Sequence, residues 1–365
     1  MSAYAIVGAG CAGLSLAVHL IEAGFREPLH LYERRHHYED DRTWCAFRVD
    51  AHRFAGCVSK RWHRVAVVAG KKQATAELYE HPYEHIASKD FYREALSVLE
   101  AAENVELHLG VDAEALPGAK VRTAEGVKPF AHVFDSRFST EALPDGLWQC
   151  FSGVVVETEQ PRFDARCATL MDFDVGAPGP DALQFRYVLP FDSHHALIED
   201  THFARQRIQA GSSLGSWLEA LGPHQVMRRE SGALPMSVGV GAHHRDGVTP
   251  IGLAAGSAKP SSGYAFDFIQ RHCRALVDDP TAPMPRAKLA VILDQILLDE
   301  MTKNPKLGAK LFRRMFQRNE GDRIARFMME GASASDISAL MATVPSLRLV
   351  SGGMLWPYRR LRGHL

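Results

Sequence analysis

Residues Ala3 to Glu33 constrain this chain more tightly than any other stretch. Ala3-Tyr4-Ala5-Ile6-Val7 is a short apolar run suited to a buried parallel strand, and Gly8-Ala9-Gly10-Cys11-Ala12-Gly13 follows without a spacer. Leu14 to Ala23 then reads as a helix with Gly24 past its end, and the apolar run Leu29-His30-Leu31-Tyr32 delivers Glu33. Each part has a physical task. Gly8 permits a tight turn, Gly10 lets the backbone approach a pyrophosphate, and Gly13 lets the helix lie close to the sheet. The helix N-terminus offers free N–H groups to an anion, and Glu33 can accept hydrogen bonds from ribose hydroxyls. An ordinary βαβ turn could carry the glycines. The strand, helix, second strand and acid in register point instead to a bound dinucleotide.

The 365 residues suit one large domain or two interleaved ones. A net charge of −1 implies no polyanion partner, so nucleic acid is not expected. Cys11, Cys45, Cys57, Cys150, Cys167 and Cys273 are scattered without a C-x-x-C pair, and read as reduced, intracellular thiols. No basic segment precedes an apolar core at the start, and no run of eighteen apolar residues occurs. A soluble or peripheral cytoplasmic protein is expected. His36-His37, His194-His195 and His243-His244 are adjacent pairs in polar loops without metal-ligand spacing, so no metal is assigned.

Beyond Glu33, the polar loop Arg34 to Arg42 ends in Thr43-Trp44. It either folds back over a cofactor or is a solvated turn, and Trp44 either stacks near that cofactor or is a buried structural residue. Arg64 to Val68 and Gln73 to Leu78 read as paired strands. Ser88-Lys89-Asp90 reads as the cap of a helix running to Ala101, Val105 to Leu109 as a strand, and Ala131 to Asp135 as a return to the parallel sheet. From Phe151 to Glu199 the pattern turns to β, with strand-like runs at Gly153 to Glu157, Ala168 to Phe173, Gln184 to Leu189 and His195 to Glu199. These predict a second, antiparallel sheet that carries the substrate, with Gly232 to Val240 as a further strand. Pro250 to Ser257 and Tyr264 to Val277 form a late strand, glycine-rich turn and helix, as in flavin proteins where a distant segment closes over the cofactor.

The last third reads as helical. Leu307, Leu311, Phe312, Met315 and Phe316 share one face, and eight basic residues between Lys303 and Arg326 are opposed only by Glu320 and Asp322. Such a helix can lie on an anionic membrane surface, or it can pack on its own domain with a solvated basic face.

One stretch suggests chemistry directly. Arg186-Tyr187-Val188-Leu189-Pro190 is followed by Ala196-Leu197-Ile198-Glu199-Asp200-Thr201-His202, an apolar strand ending in two adjacent carboxylates. Strand alternation places Glu199 on the face of Leu197 and Asp200 on that of Ile198, so at most one points straight into an apolar pocket. Burial raises a carboxyl pKa, and a glutamic acid so held can act as a Brønsted acid at neutral pH. A strand end that meets solvent is the competing reading.

The order of several blocks is similar to that of bacterial lycopene cyclases. They are Gly8-x-Gly10-x-x-Gly13, Arg42-Thr43-Trp44, Phe185-Arg186-Tyr187 with Leu189-Pro190, Ile198-Glu199-Asp200-Thr201-His202, Glu230-x-Gly232-Ala233-Leu234-Pro235 and Pro260-Ser261-Ser262-Gly263-Tyr264. The resemblance covers nearly the whole chain. It implies an α/β fold with a Rossmann-type FAD-binding domain like that of flavin hydroxylases (residues 1–62, 86–150 and 245–280). A β-sheet substrate domain (63–85 and 151–244) and a helical C-terminal region (281–365) would complete it. It implies FAD as cofactor, active in reduced form with NADPH or a reductase supplying electrons. Gly8, Gly10, Gly13, Glu33, Arg42, Thr43, Trp44, Gly256, Pro260, Gly263 and Tyr264 would hold the cofactor, and Tyr187 and Tyr264 could line the pocket. The implied activity is β-ionone ring closure on lycopene or a related linear polyene with no net redox change. Glu199 would be essential and Asp200 important, and the substrate entrance would face the cell membrane from its inner side.

Two other functions fit the same fold. A flavin monooxygenase or other oxidoreductase would consume NADPH and oxygen. Such enzymes usually carry Gly-Asp in the late flavin segment, where Gly256-Ser257-Ala258-Lys259-Pro260 has no acid. A non-catalytic carotenoid- or flavin-binding protein would leave the pigment unchanged.

Overall fold

The computed structural model describes residues 3–138, 147–175, 182–237, 244–303 and 305–343. The opening run becomes Tyr4–Val7, the central strand of a five-stranded parallel sheet. Its neighbours are His132–Asp135 on one side and Leu29–Glu33 on the other. Val248–Pro250 and Val105–Leu109 form the edges. A central parallel strand is covered on both faces, which is why Ala5, Ile6 and Val7 are all apolar and buried. The helix Cys11–Glu22 packs on this sheet beside the late helix Phe266–Asp278.

The expected second sheet is present and larger than the sequence suggests. Its seven strands run in the order His224–Met236, Leu147–Thr158, His195–Ala204, Ala182–Pro190, Ala168–Asp172, Arg64–Ala69 and Lys72–Glu77. One joint departs from the antiparallel expectation: Ala168–Asp172 pairs parallel with Arg64–Ala69. The hairpin Arg64–Glu77 comes from far upstream and adds to the sheet by one edge, so no short turn imposes an antiparallel sense there. The strand expected over Gly232 to Val240 begins earlier, at His224, and ends at Met236, while residues 238–240 lie outside the described ones. A smaller antiparallel sheet of Thr43–Phe47, Tyr83–Ala87 and Val58–Trp62 lies between these two parts of the chain, so Thr43 and Trp44 open a strand instead of closing a loop.

The helix predicted from Ser88 spans Ser88–Glu100, but Ser88 does not cap it. Its hydroxyl donates to Asp40 (3.1 Å) and accepts from the Arg42 N–H (3.1 Å), fastening the loop that follows Glu33.

Four helices cover one face of the seven-stranded sheet: Lys288–Lys303, Pro305–Arg318, Gly321–Met328 and Ala334–Thr343. Leu311, Phe312, Met315 and Phe316 share a core with Phe185, Leu197 and Phe203, so the apolar face of the basic helix packs on its own sheet. Burying four such side chains stabilises the assembly by roughly 1.5–3 kcal/mol each. Lys259, only 2% exposed, ties these helices to the late glycine-rich turn. It pairs with Asp294 (2.6 Å) and faces Glu330 (3.7 Å), and Arg286 binds both acids. Among the described residues no helix is long and apolar enough to cross a membrane.

Candidate active site

The nucleotide end of the site follows from the opening strand. Gly8 has φ +86°, and a Cβ on Gly13 would lie 2.1 Å from the Gly8 carbonyl, so helix and turn touch backbone to backbone. Gly10 stands at the head of the helix Cys11–Glu22, where no side chain caps the free N–H groups, and it faces the Arg35 guanidinium. Glu33 is buried at its strand end and accepts from the Arg35 backbone N–H and Nε, both at 3.1 Å. After Val248–Pro250 the chain turns through Gly252-Leu253-Ala254-Ala255, so the residue following the first glycine is leucine, without a carboxylate. A Cβ on Gly252 would sit 2.7 Å from that of Ala12, which brings this turn against the first helix.

Further along, Gly256 ends the short helix Gly252–Ala255 and Pro260 is buried. Gly263 bends where a Cβ would fall 2.2 Å from Gln149 Oε1. That Gln149 oxygen and the Ser262 hydroxyl are both buried without a protein partner. Uncapped helix N–H groups, a buried acid at the second strand and two orphaned polar atoms beside a glycine cradle fit a flavin dinucleotide. Arg42 is exposed and turns its guanidinium back to the Asp41 carbonyl. Trp44 packs edge-on against Phe91, 5.1 Å between ring centres, and lies against Phe266. A small cavity beside Trp44, lined also by Arg48, His52, Glu84 and Asp267, does not include Glu199.

The carboxyl end of the site is built on the seven-stranded sheet. Glu199 points to the face of Leu197 and Phe203, the face covered by the C-terminal helices. Its cross-strand neighbours are Tyr187 on one side and Gly153 on the other, and Gly153 in turn opposes Glu230. Gly153 leaves a gap in the row: a Cβ there would lie 2.6 Å from Glu199 Cγ. Glu199 leans into this gap, towards the strand that carries Glu230. Burial first, and then the charge and hydrogen bond of Glu230, hold the Glu199 carboxyl well above the usual glutamate range. Glu230 accepts from Arg228 Nη1 (2.8 Å) and the Thr43 hydroxyl (2.9 Å). Tyr187 donates to or accepts from Tyr83 (2.8 Å between hydroxyls), and Tyr264 lies 6.1 Å from Tyr83 by ring centres. Burial raises the Tyr83, Tyr187, Tyr264 and Cys45 pKa values, so all four stay neutral beside the acid.

Asp200 lies on the opposite face, apart from Glu199. Fully buried, it accepts from Gln184 (2.8 Å) and from the backbone N–H groups of Gly211 (3.0 Å) and Ser213 (3.2 Å), and it pairs with His202 (2.9 Å). Despite its burial, the neighbouring His202 imidazole and the hydrogen bond from Gln184 lower its pKa below the ordinary aspartate value. A carboxylate so engaged anchors a loop and holds no proton at neutral pH.

His30, Glu106 and His108 gather on the parallel sheet, with ligand atoms within 4.8 Å. The two imidazoles are 3.2 Å apart between nitrogens and 5.5 Å between ring centres, with planes 12° apart. Their nitrogens therefore meet head-on along the line of centres, as in an N–H···N hydrogen bond, instead of converging on a common ion.

The family model for lycopene cyclase proteins matches residues 4–349. The chain belongs to the lycopene cyclase family. A lycopene beta-cyclase of Paracoccus sp. (strain N81106 / MBIC 01143) is 32% identical over 136 residues, which cover 33% of this chain and 33% of that relative. The match thus spans about a third of the relative's length. Among solved structures, a geranylgeranyl bacteriochlorophyll reductase-like protein of Thermoplasma acidophilum aligns with TM-score 0.61 at 12% identity. That alignment covers 96% of this chain and 98% of the other. An HpxO variant of Klebsiella pneumoniae, complexed with FAD, aligns with TM-score 0.56 at 13% identity over 91% of this chain and 98% of that one. These likenesses establish the fold, a mixed α/β chain shared with the FAD-bound HpxO variant, here with a helical C-terminal part.

Three participants in the acid site are absent from the sequence-based set: Gly153, Arg228 and the carboxylate role of Glu230. A signal existed for the first, since a glycine heading the run Val154-Val155-Val156 marks a close approach in a strand. Glu230 stands in the block Glu230-x-Gly232-Ala233-Leu234-Pro235, but only the register across Gly153 brings it to Glu199.

Proposed function

We propose that this chain is a flavin-dependent, non-redox cyclase that closes β-ionone rings on lycopene or a closely related linear polyene. The observation that carries this reading is Glu199, a buried carboxyl held in its acid form on an apolar face among neutral tyrosines. Family membership supplies the polyene class of substrate. The acid protonates a terminal double bond, which leaves a tertiary carbocation. The neighbouring double bond attacks it to close a six-membered ring, and loss of a ring proton gives the β end group. Atoms and electrons balance without an oxidant, so the product is an isomer of the substrate. Reduced FAD, when bound at the Gly8–Gly13 turn and the Gly263 cradle, would supply an electron-rich ring whose negative charge stabilises the cation in a dry pocket. NADPH or a reductase would reduce it.

Within this proposal residues 1–62, 86–150 and 245–280 hold the cofactor, residues 63–85 and 151–244 hold the polyene, and the C-terminal helices cover the pocket. Asp200 acts at a distance, by fastening Gly211 and Ser213 behind the strand that carries Glu199. The basic face of the C-terminal helices is assigned to the membrane in which a polyene dissolves. The test is anaerobic incubation of reduced holoprotein with lycopene in liposomes, in ordinary and heavy water. A cyclic isomer carrying solvent deuterium is expected. Steady NADPH oxidation with oxygen uptake would instead identify a flavin oxidoreductase, the activity suggested by the redox enzymes that share the fold.

A further inference from the structure

The geometry points to Glu230 as the charged partner of Glu199: across Gly153 the two carboxyls hold one proton between them, which sits on Glu199 while Arg228 and Thr43 keep the charge on Glu230. This deepens the proposed cyclase reading and rests on it for its chemical meaning.

Glu199 and Glu230 lie on strands that flank the same middle strand, about 10 Å apart. Side chains so placed ordinarily meet the residue between them. Here that residue is Gly153, and the space a Cβ would need is filled by Glu199 Cγ. Glu199 therefore reaches over the middle strand towards Glu230, whose charge bears on it. Two buried acids facing each other across one glycine disfavour double ionisation, so in the resting protein one proton stays with the pair.

Which acid keeps it follows from the donors. Glu230 Oε2 receives the Arg228 guanidinium and the Thr43 hydroxyl, and Arg228 Nη2 in turn donates to Thr43 Oγ1 (2.7 Å), closing a three-membered ring of contacts. Glu199 has tyrosines and a thiol for company and no cation of its own. The charged and titratable groups around the pair are Arg228 and Glu230 on one strand, Tyr187 on another, Cys45 and Tyr83 from the small sheet, Tyr264 from the late segment, and Asp40, which lies 3.7 Å from Arg228. Nearby His85 is pushed down to about 4 by burial and by Arg228, so it stays neutral and adds no charge.

The pair also closes the proton cycle. When the Glu199 O–H bond breaks and a C–H bond forms on the polyene, two adjacent carboxylates remain beside one guanidinium and one substrate cation. The next step breaks a ring C–H bond, its electrons become the ring double bond, and the proton returns to the carboxylate pair. No further base is required. Glu230 is a positioning residue in this scheme, since it acts through Glu199.

The test uses FAD-loaded full-length protein and two readouts. The first is infrared titration of the protonated carboxyl band in the resting protein, without substrate. A band present at neutral pH is expected, lost in Glu199→Gln and kept in Glu230→Gln but titrating at lower pH, because the neighbouring negative charge is gone. The second is the pH profile of cyclisation, whose alkaline limb should shift to lower pH in Glu230→Gln and return towards the parent position in Glu230→Asp, which restores the charge. Should Glu230→Gln not fold, Glu230→Asp and the parent band still decide: a parent protein without a protonated carboxyl at neutral pH overturns the proposal. So does a Glu230→Gln band that titrates where the parent does. A shared proton found in protein that leaves lycopene unchanged would uphold the pair and sink the cyclase reading, so the two failures are separable.

Discussion

The two faces of the strand His195–Ala204 treat neighbouring carboxylates in opposite ways. On one face Glu199 meets aromatic hydroxyls, aliphatic side chains and a second acid, and it keeps its proton. On the other, Asp200 meets three hydrogen-bond donors and an imidazole and surrenders its proton, although it is no less buried. Burial alone therefore does not decide the state of a carboxyl. What decides is whether the surroundings offer N–H groups to an anion or a like charge to repel one.

Four variants would break or sharpen this contrast. The largest effect belongs to Glu199→Gln, which should cost cyclisation about a thousandfold, within the range of positioned acid catalysis, in protein that still folds; product chromatography reads the loss and thermal melting the fold. A variant that folds and still closes rings would remove Glu199 from the reaction. Asp200→Asn should show the reverse pattern. Losing hydrogen bonds to a buried charge costs about 2–3 kcal/mol, read by denaturant unfolding, while ring closure survives in whatever protein remains folded.

The pH dependence of stability should separate the two faces as well. The Asp200 pKa is depressed in the folded protein, so its stabilisation is present above the ordinary aspartate value and lost as pH falls towards its folded value. The Glu199 pKa is raised, so the folded state holds a proton that the unfolded chain releases, and stability declines as pH rises above the ordinary glutamate value. Asp200→Asn should flatten the acid limb and Glu199→Gln the decline that begins above the ordinary glutamate value, in melts across the pH range. Gly153→Ala forces a methyl against Glu199 Cγ and should destabilise by about 1–3 kcal/mol while parting the two acids, so that the protonated carboxyl band shifts. The smallest effect is that of Tyr83→Phe, which removes the hydroxyl pair with Tyr187 at about 1 kcal/mol, measured by unfolding.

The strand–turn–helix–strand unit at the start of the chain was readable because its signals are local. Strand, glycines, helix and Glu33 all fall within one contiguous stretch, and the backbone contact of Gly13 with Gly8 spans five residues. The facing of Glu199 and Asp200 was equally readable, since it needs only the period of two in a strand. What the sequence did not disclose depends on register between distant strands. Nothing near Glu230 announces that Gly153 will stand between it and Glu199, nor that Arg228 will reach across to Thr43. Ser88 shows the same limit on a smaller scale: a residue with a capping preference spends its hydroxyl on Asp40 and Arg42, a pairing made by tertiary proximity.

Lys259 gives the C-terminal helices a standing that their position at the end of the chain conceals. Its ammonium is neutralised by Asp294 and Glu330, both contributed by the helical part, although Lys259 itself belongs to the turn that leads into the Gly263 cradle. Cutting the chain ahead of Lys288 would remove both counter-ions together with the helical part that contributes them, so the shortened protein would have to rebuild that turn around an unpaired cation. Trimming from the tail therefore reaches back into the glycine-rich turn at Gly263, far from where the cut is made.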